Sequence, residues 1–286
     1  MYVITGITGQ VGGAVGRALL QQGKPVRAVV RDEKKGQTWA ARGCEIALAN
    51  MTDADALAHA FEGAEGVFIL PPSEFDPEPG FPEAREVIDA ILSAVSRAKP
   101  RKIVCLSTIG AQATQTNLLT QRTLLEQALI EQSIPVTFLR PGWFMENCAW
   151  DVDGARNDGV VQSFLQPLDR AIPMIATDDI GKLASRLLQE ESTGTRIVEL
   201  EGPQRVSPND IAAAFSEVLG KPVRVQAVPR ETWASLFVSQ GMKNPTPRIR
   251  MLDGFNEGWI DFEGRGENIV KGATPLIDVI RKLVAR

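Results

Sequence analysis

The chain has one tyrosine, one histidine and three cysteines in 286 residues, and each shortage removes a class of chemistry. The lone tyrosine, Tyr2, lies at the start of a β-branched run, so no phenol is available elsewhere to move a proton. His59 falls in a helical surface pattern and no G-x-S-x-G elbow occurs, which excludes a serine hydrolase. One histidine and scattered cysteines leave no zinc site, and no metal is expected. Cys44, Cys105 and Cys148 form no C-x-x-C pair. The first two lie in apolar runs and read as small buried hydrophobes, and Cys148 reads the same way rather than as a redox thiol. This usage fits a reducing, cytoplasmic compartment. No apolar run approaches the roughly 20 residues of a membrane span, and no basic segment precedes the first strand as in a signal peptide. The formal net charge of -4 argues against nucleic acid or an anionic membrane as partner.

What is present is an ordinary globular composition, 44% hydrophobic and 23% charged, and a glycine-rich opening. Val3 and Ile4 give way to Gly6, Gly9 and Gly12, and a helical pattern follows at once. A strand, a tight turn and a helix N-terminus in that order suit a phosphate. The first helical N–H groups have no intrahelical partner, and the helix dipole adds positive charge there. Glycine permits the turn and lets a pyrophosphate approach backbone without a Cβ in the way.

Strand-like segments at residues 2–5, 25–30, 45–48, 66–70, 102–106 and 135–139 alternate with helical patterns at 10–22, 33–42, 53–61, 81–98 and 117–132. This predicts an α/β fold with a doubly wound parallel sheet, a Rossmann fold of order 3-2-1-4-5-6 plus a further strand. Ligand would lie across the C-terminal strand ends, at the switch point between strands 1 and 4. The Pro- and acid-rich stretch 71–82 reads as a loop.

After Arg140 the rhythm loosens. Residues 151–169 read as irregular, 172–175 as a short strand, 178–189 as a helix capped by Thr177-Asp178-Asp179 and 196–200 as a strand. Ser207 caps a helix over 207–219, followed by a strand at 223–228 and a helix at 230–240. The expected organisation is a dinucleotide-binding domain at 1–150 and a smaller α/β substrate or partner lobe at 151–286, with 172–200 returning to the main sheet. Trp143, Phe144, Trp150, Trp233, Phe237, Met242, Phe255 and Trp259 are expected either as an aromatic cleft for a planar acceptor or as plain core.

The end of strand 2 faces the adenosine ribose in this fold. An acid there binds a free 2′-OH, whereas arginine accommodates a 2′-phosphate. Arg31 follows the apolar run and Lys35 lies one helical turn on, which favours NADP(H); Asp32 between them pulls the other way. Asn50 and Met51, after strand 3, are placed beside the adenine.

These segments together resemble a known family. TGITGQVG, VRAVVRDEKK, LSTIGA, LRPGWFMEN, TDDIGKLASRLL and EGPQRVSPNDIAAAFSEVLGKPVRV are similar to the NmrA-like group, atypical members of the short-chain dehydrogenase/reductase superfamily. The group includes NADPH-dependent quinone and dye reductases and non-catalytic NADP(H)-sensing regulators. The resemblance implies that Gly6, Thr8, Gly9, Gln10 and Val11 hold the pyrophosphate and that Arg31, helped by Lys35, takes the 2′-phosphate. Leu70, Pro71 and Pro72 would line the nicotinamide ribose, and Ser107 and Thr108 would face the nicotinamide. Pro141, Gly142, Trp143 and Phe144 would wall the ring, with Asn147 opening the substrate pocket.

The departure from the superfamily matters as much. Ordinary short-chain dehydrogenases carry a Tyr-x-x-x-Lys pair, in which lysine lowers the tyrosine pKa. No lysine occurs between Lys102 and Lys182, and the corresponding helix offers Gln121, Arg122 and Glu126. Alcohol oxidation by that route is excluded. Hydride transfer to an electron-poor quinone or conjugated aromatic acceptor needs no such acid, and an NADPH-dependent reductase of this kind is expected. The alternative is a non-enzymatic NADP(H) sensor acting through a protein partner; a homodimer is left open.

Overall fold

The computed structural model describes residues 1–266 and 269–286. Its centre is an eight-stranded sheet in the order β3-β2-β1-β4-β5-β6-β10-β12. The strands are β1 (Tyr2–Ile4), β2 (Val26–Val30), β3 (Glu45–Leu48), β4 (Gly66–Ile69), β5 (Ile103–Leu106), β6 (Val136–Pro141), β10 (Thr195–Glu201) and β12 (Val270–Lys271). Every pairing in it is parallel. The doubly wound order expected for the first six strands is present, and β10 is the further strand beside β6. β1, β4, β5 and β6 are buried along their whole length, as befits strands covered on both faces.

Helices α1 (Gln10–Gln21), α2 (Glu33–Ala40) and α7 (Thr177–Gln189) cover one face. Helices α3 (Ala54–Phe61), α4 (Pro82–Ala98) and α5 (Thr120–Ile130) cover the other. Glycine lets α1 and α7 touch backbone to backbone, since a Cβ on Gly181 would stand 2.3 Å from that of Ala14.

The remaining elements gather on a third hydrophobic cluster. They are α6 (Val152–Asn157), α8 (Pro208–Leu219), α9 (Trp233–Ser239), α10 (Thr246–Glu257) and α11 (Leu276–Val284), around a two-stranded parallel pair of β8 (Val160–Ser163) and β11 (Arg224–Ala227). A second small pair joins β7 (Trp143–Phe144) to β9 (Met174–Ile175). Ser207 caps α8 in a reciprocal box with Asp210.

Several sequence expectations are corrected here. The stretch 151–169 is not wholly irregular: it holds α6 and β8, and β8 is created by pairing with β11 far along the chain. Asp178 and Asp179 do not cap α7. Glu146 does so, accepting the Thr177 N–H at 2.9 and 3.0 Å and its hydroxyl at 2.7 Å. Asp178 instead faces Arg17 and Lys282. The helix expected at 230–240 begins as a 3-10 turn at Arg230–Thr232, with α9 following.

Candidate functional site

The glycine turn sits where the sequence places it, at the C-terminal end of β1. Gly6 adopts φ +62°, and the Gly9 N–H donates to the Gly6 carbonyl at 3.0 Å. A Cβ on Gly12 would come within 2.3 Å of that same carbonyl, so helix and turn meet at a contact that only glycine allows. Thr8, Gly9 and Gln10 are exposed, while Val11 is buried as the first inward residue of α1. α1 begins with no side-chain cap and no acid in its first turn. By contrast Asp32, Asp53 and Ser207 cap α2, α3 and α8. The free N–H groups of an uncapped helix start, beside a turn with no side-chain bulk, fit a pyrophosphate. Thr5 fixes the neighbouring strand end, donating to the Phe68 carbonyl at 3.1 Å and accepting the Leu70 N–H at 2.8 Å.

Arg31 and Lys35 are exposed beyond β2, and among the described residues neither forms an ion pair. Asp32 is turned to its own helix, accepting the Lys34 N–H at 2.8 Å. The acid that weakened the 2′-phosphate argument is thus a cap. Asn50 is exposed and Met51 buried at the end of β3. Leu70, Pro71 and Pro72 follow β4 along the same edge of the sheet.

Ser107 follows β5 directly and is held by a buried network. It is 5% exposed, and its hydroxyl donates to the Glu126 carboxylate of α5. Glu126 in turn is gripped by Arg140 of β6, Nε to Oε1 at 2.9 Å and Nη2 to Oε2 at 2.7 Å. Arg140 also contacts Glu263 and, at 3.3 Å, Gln112. Burial alone would draw the Arg140 pKa down, but the Glu126 and Glu263 carboxylates hold it above the ordinary value. The Ser107 proton is therefore directed inward, while Thr108 beside it is half-buried. The signal for this network was present as one charge in each of two apolar contexts, Arg140 in VTFLRP and Glu126 on the inner side of α5.

At the end of β6, Pro141 and Gly142 are buried, and a Cβ on Gly142 would stand 2.6 Å from the Pro173 carbonyl. Trp143, Phe144 and Asn147 are partly exposed. Trp143 packs edge-on against Phe255 of α10, with centroids 5.2 Å apart at 80°. The aromatic set divides. Trp233 and Phe237 are 0% exposed and pack with Phe164 in the third cluster, Phe255 is buried, and Trp150 is 73% exposed. Trp143, Phe144, Met242 and Trp259 keep partial exposure.

Burial of Cys105 and Cys148 pushes both thiols well up, away from thiolate chemistry. Among the described residues no cluster could hold a metal ion, and no helix is long and apolar enough to cross a membrane. An open cavity of about 890 Å³ lies by the ends of β10 and β12, lined by Glu201, Arg205, Asp261 and Lys271 among others. None of the sequence-derived site residues borders it.

The fold has counterparts among solved structures. A quinone oxidoreductase from Escherichia coli, solved with NADPH, superposes with a TM-score of 0.82 at 23% identity over 99% of both chains. Triphenylmethane reductase from Citrobacter sp., solved with NADP(H), gives 0.79 at 21% identity over 99% of both. In sequence, the chain is 29% identical to the NAD(P)H azoreductase of Xenophilus azovorans over 245 residues, 85% of this chain and 82% of that protein. It is 28% identical to quinone oxidoreductase 2 of Escherichia coli K12 over 244 residues, with 85% and 82% covered. The profile of the NmrA-like family matches residues 2–257, and the chain belongs to that family.

Proposed function

We propose that the protein is an NADPH-dependent reductase that passes hydride to a quinone-like or other conjugated aromatic acceptor. The observation that carries this reading is the uncapped glycine turn at α1, in line with an Arg31 that has no acidic partner among the described residues. Gly6, Thr8, Gly9, Gln10 and Val11 would hold the pyrophosphate, Arg31 and Lys35 the 2′-phosphate, and Asn50 and Met51 the adenine. Leu70, Pro71 and Pro72 would border the nicotinamide ribose. When bound, NADPH supplies a hydride at its nicotinamide ring.

The chain's own contribution is position and dryness. Trp143 and Phe144 offer apolar faces suited to a flat ring, Asn147 a polar edge, and Thr108 a hydroxyl. None of these moves a proton readily at neutral pH, and Ser107 is committed to Glu126. The reaction is thus one whose product takes its protons from water. Relatives named as azo-dye and quinone reductases support the acceptor class.

Steady-state NADPH oxidation against a panel of quinones, azo dyes and triphenylmethane dyes tests the reading. Turnover above the uncatalysed rate with at least one acceptor is expected. Rates equal to the protein-free control throughout would overturn it and favour the non-enzymatic NADP(H) sensor, whose partner recovery should then differ between NADP+ and NADPH.

A further inference from the structure

Residues 71–81 run from the end of β4 to the start of α4 and are fastened on two sides. On one side, α5 holds them. Gln121 accepts the Glu74 N–H at 3.1 Å and donates to its carbonyl at 2.8 Å, and Arg122 donates to the Pro71 carbonyl at 3.0 Å and the Ser73 hydroxyl at 2.6 Å. These are polar residues of the helix that carries the catalytic pair in ordinary short-chain dehydrogenases. On the other side, the Asp76 carboxylate accepts the N–H groups of Lys243 and Asn244, each at 2.7 Å, while the Asn244 amide donates to the Pro77 carbonyl at 2.8 Å. Lys243 and Asn244 lead into α10, the helix whose Phe255 meets Trp143. The far end is seated by Phe81, which keeps a left-handed φ of 58° with its ring 6% exposed.

We propose that residues 71–81 are a strap across the mouth of the cleft, that Asp76 latches it to the lobe, and that the latch makes Asp76 a positioning residue for acceptor selection. The acceptor part rests on the reductase reading above. By fixing the start of α10 to the segment after β4, the latch would set how far the Trp143–Phe255 wall stands from a nicotinamide bound there. Prolines at 77 and 79 stiffen the outer part of the strap, so residues 75–81 move as a unit about the Gln121 and Arg122 fastenings, which hold residues 71–74 and the cofactor-side prolines in place. The Asp76 fastening is the releasable one, because it is a partly exposed carboxylate on backbone N–H groups, whereas Gln121 is buried.

The test compares wild type with Asp76→Ala and Asp76→Asn. Phe75 is 61% exposed on the strap and gives chymotrypsin a cleavage site there. In Asp76→Ala, cleavage after Phe75, divided by the rate for a free peptide of residues 71–81 carrying the same change, should accelerate about tenfold. The acceptor KM should rise about tenfold for a small benzoquinone and less for a bulky dye, with kcat and the NADPH Kd held within about twofold, as expected for a lost charge-assisted contact. Asp76→Asn retains one acceptor oxygen and should fall between. An unchanged cleavage rate overturns the latch. Faster cleavage with an unchanged ratio of KM values overturns its role in selection. A wild type that turns over no acceptor overturns the reductase reading and the selection role together, and the cleavage rates still decide the latch.

Discussion

Glu126 and Arg140 form a bidentate ion pair in which both side chains are nearly inaccessible, at 6% and 4% exposure. It joins α5 to β6, and Glu126 accepts the Ser107 hydroxyl proton in a hydrogen bond directed into the interior. Removing Glu126 leaves the buried Arg140 with the half-exposed Glu263 as its remaining carboxylate among the described residues, so Glu126→Leu should cost about 3–5 kcal/mol. Glu126→Leu combined with Arg140→Met should cost far less than the sum of the two single changes. Urea denaturation of the four proteins measures this, and strict additivity would mean that the pair is not coupled.

Gly12 makes a second, independent point of strain. A methyl group there meets the Gly6 carbonyl at 2.3 Å, so Gly12→Ala must push α1 off the turn. We expect a loss of about 1–3 kcal/mol in stability and a fall of about tenfold or more in NADPH affinity, equivalent to about 1.4 kcal/mol. Gly181→Ala presses on the same helix at Ala14 but leaves the turn alone, and should lower stability with affinity nearly kept. Calorimetric binding to both variants separates the two effects; equal affinity losses would contradict the special role of the turn.

Asp151 should give the stability a pH signature. Burial pushes its pKa up to about 7, against about 3.9 in an unfolded chain. A raised folded-state value means that its contribution is fully present below about pH 4 and is lost as the pH climbs through 7. Asp151→Asn abolishes that loss. The variant should therefore gain on wild type between pH 4 and pH 8, by at most about 4 kcal/mol, and the gap should be flat above that. Denaturation across this range checks it, and a gap independent of pH would be contrary.

The parallel sheet, its order and the glycine turn were legible in the sequence because they rest on local signals: short β-branched runs, helical periods and glycine spacing. Caps at Asp53 and Ser207 were legible for the same reason. What escaped depends on partners distant in the chain. The strand character of β8 comes from β11, and the cap of α7 comes from Glu146. The Asp76 latch joins residues 167 and 168 positions apart. The Ser107–Glu126 hydrogen bond escaped for the same reason, since the sequence neighbours of Ser107 say nothing of Glu126. The aromatic residues could not be sorted by spacing, since Trp143 and Trp233 differ only in what packs over them.

Everything proposed for the cleft depends on the dinucleotide and on Arg31 selecting its 2′-phosphate. Calorimetric titration of wild type and Arg31→Ala with NADPH, NADP+ and NADH is the most direct test. Wild type should bind the two phosphorylated forms at least about tenfold more tightly than NADH, a difference of about 1.4 kcal/mol, and Arg31→Ala should erase that preference while leaving NADH affinity unchanged. Equal affinity of the wild type for NADPH and NADH, or a preference that survives in Arg31→Ala, would contradict it.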